Sequence, residues 1–315
     1  MTRFKCTVAY VGANYEGWQA QRNGNSIQQK IESAIEMIAQ KKVGITASGR
    51  TDAGVSAKGQ VFHFDSDMNM SAYRWTGAIN GKLPKDIHIV KTEEVDDLFH
   101  ARYTVKSKRY VYCINMGPYD VFTKDTAYQC PYRLNVAKMK TASRYLIGTH
   151  DFSSFCANSY TETPEQTRTV FCIDFAQEGD MLRIAYEGDG FLRYMVRMIT
   201  AELIEVGREK LQPQDIEKIL CAKSKTYARK NAVPQGLTLE RVDYYKLLAL
   251  GKNAMVREFL FSDANVSDDK NAYAVMARNN SRMLGWYFKD RKVLEIFEDK
   301  DLLLVEDIRA TLEDA

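Results

Sequence analysis

Phe4, Cys6, Val8 and Tyr10 recur at every second position near the start of the chain, which predicts a strand with one buried face. Ser26 and Gln29 then form a capping box, and Ile27, Ile31, Ala34, Ile35 and Ile38 follow as one apolar stripe at helical spacing. The pattern breaks over the Gly/polar segment Ala47–Gly54, which reads as a loop, before a strand at Gln60–Phe64. A short helix at Tyr73–Ile79 and strands at Ile87–Val90 and Tyr110–Ile114 come next. Asn135 caps a helix built on Val136, Met139, Ala142 and Leu146, with Gly148 as its stop. Strands at Thr169–Phe175 and Leu182–Tyr186 flank a turn at Glu178–Asp180, and Gly190 is expected to open a helix that runs to Val206. Pro213 suits the first turn of a helix carrying Ile216, Ile219 and Leu220, and Leu237–Tyr244 alternates as a strand. After residue 245 the expected elements are short: strands at Lys292–Phe297 and Leu302–Val305, and a helical turn at Asp307–Leu312.

Strands and helices mix in both halves, so the pattern predicts two sheet-plus-helix units side by side: 1–105, 106–245, and an accessory extension over 246–315. The halves share no sequence repeat, so any symmetry between them is structural. With 315 residues, 45% of them apolar, the chain can bury a large core without disulfides. It lacks both an apolar run of about 18 residues and a signal-like start, so membrane and export readings are set aside and a cytoplasmic protein is expected. Six dispersed cysteines and four dispersed histidines give no metal-ligand spacing, and neither phosphate-binding glycine loop occurs, so no cofactor and no metal are expected. The net charge of +3 conceals a bias: residues 100–144 hold nine basic and two acidic residues, with Lys106, Lys108 and Arg109 among Tyr103, Tyr110 and Tyr112. Cations there suit phosphates and aromatic faces suit bases, although a solvated charged face accounts for the same window.

Two stretches carry candidate chemistry, and Tyr110 on the basic strand is a third candidate, as core packing or as a stacking platform. Asp52 lies in a polar loop between Gly49 and Gly54, where its carboxylate suits a nucleophile, a base or a cation ligand, or simply a turn residue bonded to its own backbone. Arg193 and Arg197 are four apart and expected on the same face of an apolar helix, and an Arg in such a setting calls for an anionic partner, in a structural salt bridge or a catalytic carboxylate.

Taken in order, several segments resemble the tRNA pseudouridine synthase A family. They are Tyr10, Gly12, Tyr15 and Gly17–Gln19; Gly49–Val61; Leu83–Ile87; Phe99–Arg102; Lys108–Tyr110; His150–Ser153; Phe191–Arg197; and Pro234–Leu237. Ser56 stands where that family usually has His, and Met198 and Ala201 where Asn and Gly are usual. The resemblance implies an α+β fold of two ferredoxin-like halves with a continuous mixed, mainly antiparallel sheet. It also implies isomerisation of uridine to pseudouridine on the 3′ side of the tRNA anticodon stem-loop, by a homodimer and without a cofactor. In that reading Asp52 acts on the sugar, Arg197 pairs with it and lowers its pKa, and Tyr110 stacks on uracil. Arg50 fills space around the everted nucleotide, and Lys106, Lys108 and Arg109 contact phosphates. Two other readings stand beside it: a non-catalytic RNA-binding protein on the same scaffold, and a glycosidase-like enzyme for small molecules, which usually pairs two carboxylates.

Overall fold

Nine-residue β1 (Thr2–Tyr10) buries Phe4, Cys6, Val8 and Tyr10 and leaves the alternate residues half-exposed, as the period-two pattern requires. The structure, a computed structural model, describes residues 1–21, 24–228 and 230–245, and beyond them the backbone of five strands. In chain order β1 is followed by α1 (Ile27–Ala39), β2 (Thr46–Ala47), β3 (Ser56–Ser66), α2 (Ala72–Asn80) and β4 (Ile87–Val95). Then come β5 (Val105–Asn115), β6 (Tyr128–Gln129), α3 (Val136–Ser143), β7 (Gly148–Asp151), β8 (Thr167–Glu178), β9 (Met181–Gly188), α4 (Met195–Gly207), α5 (Pro213–Ala222) and β10 (Leu237–Tyr244).

Helix α1 starts at its capping residue: Ser26 Oγ accepts the Gln29 amide at 3.3 Å. The Gln29 side chain bonds the Ser26 hydroxyl and the Gln21 carbonyl, so the reciprocal half of the expected box is not formed. Asn135 caps α3 by accepting the Lys138 amide, as its position implied. Helix α4 begins at Met195, five residues later than expected. Tyr194 takes the left-handed conformation (φ 64°) ahead of it, so Arg193 lies in the entering turn and does not share a helix face with Arg197.

Strands run β4-β1-β3-β10-β5-β9-β8-β7 in one mixed sheet, with β2 and β6 at the side of β3 and β5. Within β1–β4 the order is fourth, first, third, second strand; β5, β8, β9 and β10 repeat it. The halves thus share a ferredoxin-like topology although no sequence repeat marks it. They join where β3 and β10 run parallel, Ser56 beside Thr238 and Ala57 beside Leu239. Phe4, Phe62 and Phe64 pack with Trp75 of α2 on one side of the seam, while Tyr112, Ile184 and Tyr186 are fully buried on the other, the Tyr186 hydroxyl bonded to Thr200 of α4. Each such fully buried side chain contributes about 1.5–3 kcal/mol.

Residues 247–250, 254–258, 272–277, 283–288 and 293–296 form a separate antiparallel sheet in sequential order. The expected strand at 292–297 is the last of these. The four before it were not anticipated, and the elements expected at 302–305 and 307–312 lie outside the described residues.

Candidate active site

Loop 48–55 leads into β3 at the seam, and its backbone is held from several directions. The Tyr10 hydroxyl, buried under β1, bonds Thr51 Oγ1 at 2.9 Å; the Trp18 amide donates to Thr51 O at 3.0 Å; the Gly54 amide donates to Tyr15 O at 3.2 Å. Gly17 has φ 96°, and a β-carbon there would stand 2.7 Å from Thr51 O, so the turn before α1 needs glycine both for its dihedral and for its approach to the loop. Gln60, fully buried in β3, donates to Gly49 O at 2.9 Å and accepts from Ser48 Oγ. Ser56 is buried as well, and its hydroxyl accepts the Gly12 amide at 3.1 Å.

Asp52 projects toward α4, where Arg197 Nη1 donates to Asp52 Oδ2 at 3.1 Å. The guanidinium is fixed a second time by Nε donating to Ala232 O at 2.9 Å. Both charged groups are largely buried, 24% exposed for the Asp52 side chain and 12% for that of Arg197. Burial pushes the Asp52 carboxyl above its ordinary value, and the opposing influence of Arg197, then Arg193, does not overcome it. Arg197 lowers this pKa, as expected of it, but desolvation is larger and the net shift is upward.

Tyr110, on β5 between Leu239 and Tyr186, is buried with its ring edge-to-face with Phe191 at 5.4 Å. Burial, then Tyr10 and Asp52, push its phenol up, so the unbound protein holds a neutral phenol there. The Tyr194 ring lies 5.0 Å from the Arg193 guanidinium and 5.1 Å from that of Arg197. Neither Tyr194 nor Gln60 was singled out from sequence; a Gln amid Val61–Phe64 is the kind of polar residue that must find buried partners.

The remaining expected site residues separate. Arg50 is exposed and makes no hydrogen bond or ion pair among the described residues. Lys106 is half-buried and is likewise unpaired among them. Lys108 turns inward, donating from Nζ to Ser48 O at 2.8 Å. Arg109 is tied by Nε to Glu240 at 2.9 Å and by Nη1 to Glu187 at 3.1 Å on the opposite face of the sheet. Strand alternation sends Lys108 and Arg109 to different faces, and each is already engaged, Lys108 with a carbonyl and Arg109 with two carboxylates. Exposed Arg102, beside the exposed Tyr103 that stacks on His100, supplies a cation that the window had not singled out. Among the described residues no group of three or more His, Cys, Asp or Glu is placed to hold a metal, and no helix is long and apolar enough to cross a membrane.

A repeated four-stranded unit, one sheet continuous across both copies and a carboxylate presented at their seam together describe a pseudouridine synthase fold. The chain belongs to the tRNA pseudouridine synthase family, whose sequence profile matches residues 7–104 and 142–245. It is similar to tRNA pseudouridine synthase A of Bacillus licheniformis, 44% identical over 245 residues that cover 77% of this chain and 99% of that one. The Listeria monocytogenes protein of the same name is 45% identical over 248 residues, covering 78% of this chain and 100% of its own. Both loop 48–55 and the turn into α4 fall within the matched family segments, and the second sheet lies beyond them.

Proposed function

We propose that the chain isomerises uridine to pseudouridine in the anticodon stem-loop of tRNA, with Asp52 as the residue that acts on the sugar. The observation that carries this reading is the Asp52–Arg197 pair at 3.1 Å, formed across the seam of the two halves and next to the Tyr110 face. In the reaction the N1–C1′ bond breaks, uracil turns, C5 bonds to C1′, N1 gains a proton and C5 loses one. Atoms and electrons balance within the nucleoside. The carboxylate serves either by attacking C1′, to be expelled later by C5, or by taking the proton at C2′. Both routes need an anion that is held in place yet remains basic. Arg197 supplies the hold, and burial keeps the carboxylate more basic than a solvated aspartate. Tyr110 offers uracil a flat face, as a neutral phenol.

The target nucleotide must leave its stack, at a cost of a few kcal/mol. Arg50, exposed beside Asp52 and unpaired among the described residues, is placed to occupy the space it vacates. Binding energy for that extrusion comes from phosphate contacts elsewhere on the RNA. The working unit in this reading is a homodimer, which light scattering of the purified protein checks. Tritium release from tRNA labelled at uracil C5 tests the chemistry. The parent protein is expected to release it, and Asp52→Asn to release none while tRNA affinity stays within about threefold, because phosphates dominate binding. Substantial turnover by Asp52→Asn would remove Asp52 from its role. Mapping pseudouridines in tRNA from cells with and without the protein tests the position.

A further inference from the structure

Lys108 stands two residues before Tyr110 on β5, so both side chains leave the same face of the strand. Its ammonium has no carboxylate partner among the described residues. The charged groups that act on it, Arg102 and Arg168, carry the same sign, and burial with this repulsion pulls its pKa down to about 8. A lysine meant for phosphate would gain by staying in water, whereas this one bears a desolvation cost with no counter-ion among the described residues. What it gains is one carbonyl, Ser48 O at 2.8 Å. Its position also depends on its neighbour: a β-carbon on Gly49 would lie 2.7 Å from Lys108 Nζ. Gln60 grips the same two residues from β3, through Gly49 O and Ser48 Oγ.

We propose that Lys108 is a positioning residue for loop 48–55: its ammonium, seated over Gly49 and donating to Ser48 O, fixes the point from which the chain delivers Arg50 and Asp52. This deepens the reading of Asp52 as the reacting residue and rests on it. A side chain at position 49 would take the place that the ammonium now fills, and since the ammonium ends a flexible chain it is the lysine that would give way. The Gly49 dihedral is not in the left-handed region, so alanine there acts chiefly by displacing the ammonium.

Parent, Lys108→Ala, Gly49→Ala and the double variant are compared by single-turnover kinetics, tRNA affinity across a salt series and amide exchange. Since a displacement of about 1 Å can cost about a hundredfold, each single variant is expected to lose at least about tenfold in kcat. Affinity should stay within about threefold and its salt slope should not change. The double variant is expected to be no worse than Lys108→Ala, because the space is then empty and the two effects are one. Methylammonium should restore part of the rate of Lys108→Ala and none of that of Asp52→Asn. Exchange of the Trp18 amide, bonded to Thr51 O, should quicken in both single variants.

Additive losses would overturn the proposal. So would an unchanged kcat, unchanged Trp18 exchange, or a salt slope flattened by about 0.7–0.9, the mark of a lost phosphate contact. If Lys108→Ala fails to fold, Gly49→Ala, which keeps the lysine, decides by kcat and exchange. A parent that releases no tritium strikes at the functional reading, while the exchange measurement still judges the latch.

Discussion

Two influences oppose each other at Asp52. Loss of solvent favours the neutral acid, Arg197 and Arg193 favour the anion, and solvent loss is the larger. A carboxylate in that balance is more basic than aspartate in water and yet stays aligned by a bond of 3.1 Å. If catalysis needs the anion, activity must fall as Asp52 takes up a proton. The acid limb of the kcat/KM profile is then expected above about pH 3.9, the ordinary aspartate value. Arg197→Gln deletes the larger opposing cation, so the limb should move to higher pH along with a loss of maximal rate. Rates measured from about pH 4 to 8 for both proteins check this, since the acid limb of kcat/KM reports the free enzyme. A limb at the ordinary value, or one shifted downward in the variant, would assign the titration to a different group. In the sequence, Arg197 in an apolar segment already demanded an anion, and that much was legible from the residue types alone. The sign of the Asp52 shift was not, because it depends on how much solvent the folded loop excludes.

Elements were legible where their boundaries are set locally. Ser26, Asn135 and Pro213 mark helix starts through their own side chains, and each stands where α1, α3 and α5 begin. Helix α4 was misread because its start is imposed from outside. The Ala157 amide donates to Arg193 O at 3.0 Å and Asn158 Oδ1 accepts the Arg193 amide at 2.8 Å, so a loop distant in sequence holds residues 190–194 out of the helix. The turn between β1 and α1 shows the same dependence on tertiary contact, and it makes a sharp test. Gly17→Ala places a β-carbon 2.7 Å from Thr51 O at φ 96°, and backbone at that spot cannot swing aside as a long side chain would. The variant is expected to lose about 1–3 kcal/mol of stability, the range for a non-glycine residue held in a sparsely populated region. It should also lose most of its turnover, because the clash falls on the residue before Asp52. Thermal melts and single-turnover rates measure the two effects. A stable, fully active Gly17→Ala protein would show that loop 48–55 tolerates movement.

For the molecule as a whole, the question is which cations face an RNA. The basic window at 100–144 was visible as composition, but composition carries no information on face. Along β5, alternation sends Lys108 and Tyr110 to one side and Arg109 to the other, where Glu187 and Glu240 neutralise it. Of the same stretch, Arg102 and Lys106 make no ion pair among the described residues, and the Arg102 guanidinium lies 5.9 Å from the ring of exposed Tyr103. A phosphate-binding cation releases counter-ions, so deleting it must flatten the plot of log affinity against log salt, by about 0.7–0.9 per contact. Arg102→Ala combined with Lys106→Ala is therefore expected to weaken tRNA binding and flatten the slope by up to twice that amount. Arg109→Ala should leave the slope unaltered, because its charge is already spent within the sheet. Titrations at several salt concentrations, with all three proteins in parallel, separate the possibilities. A flattened slope for Arg109→Ala would mean that the RNA reaches the face of the sheet opposite Tyr110. An unaltered slope for the double variant would move the electrostatic footprint off the entrance to β5 altogether.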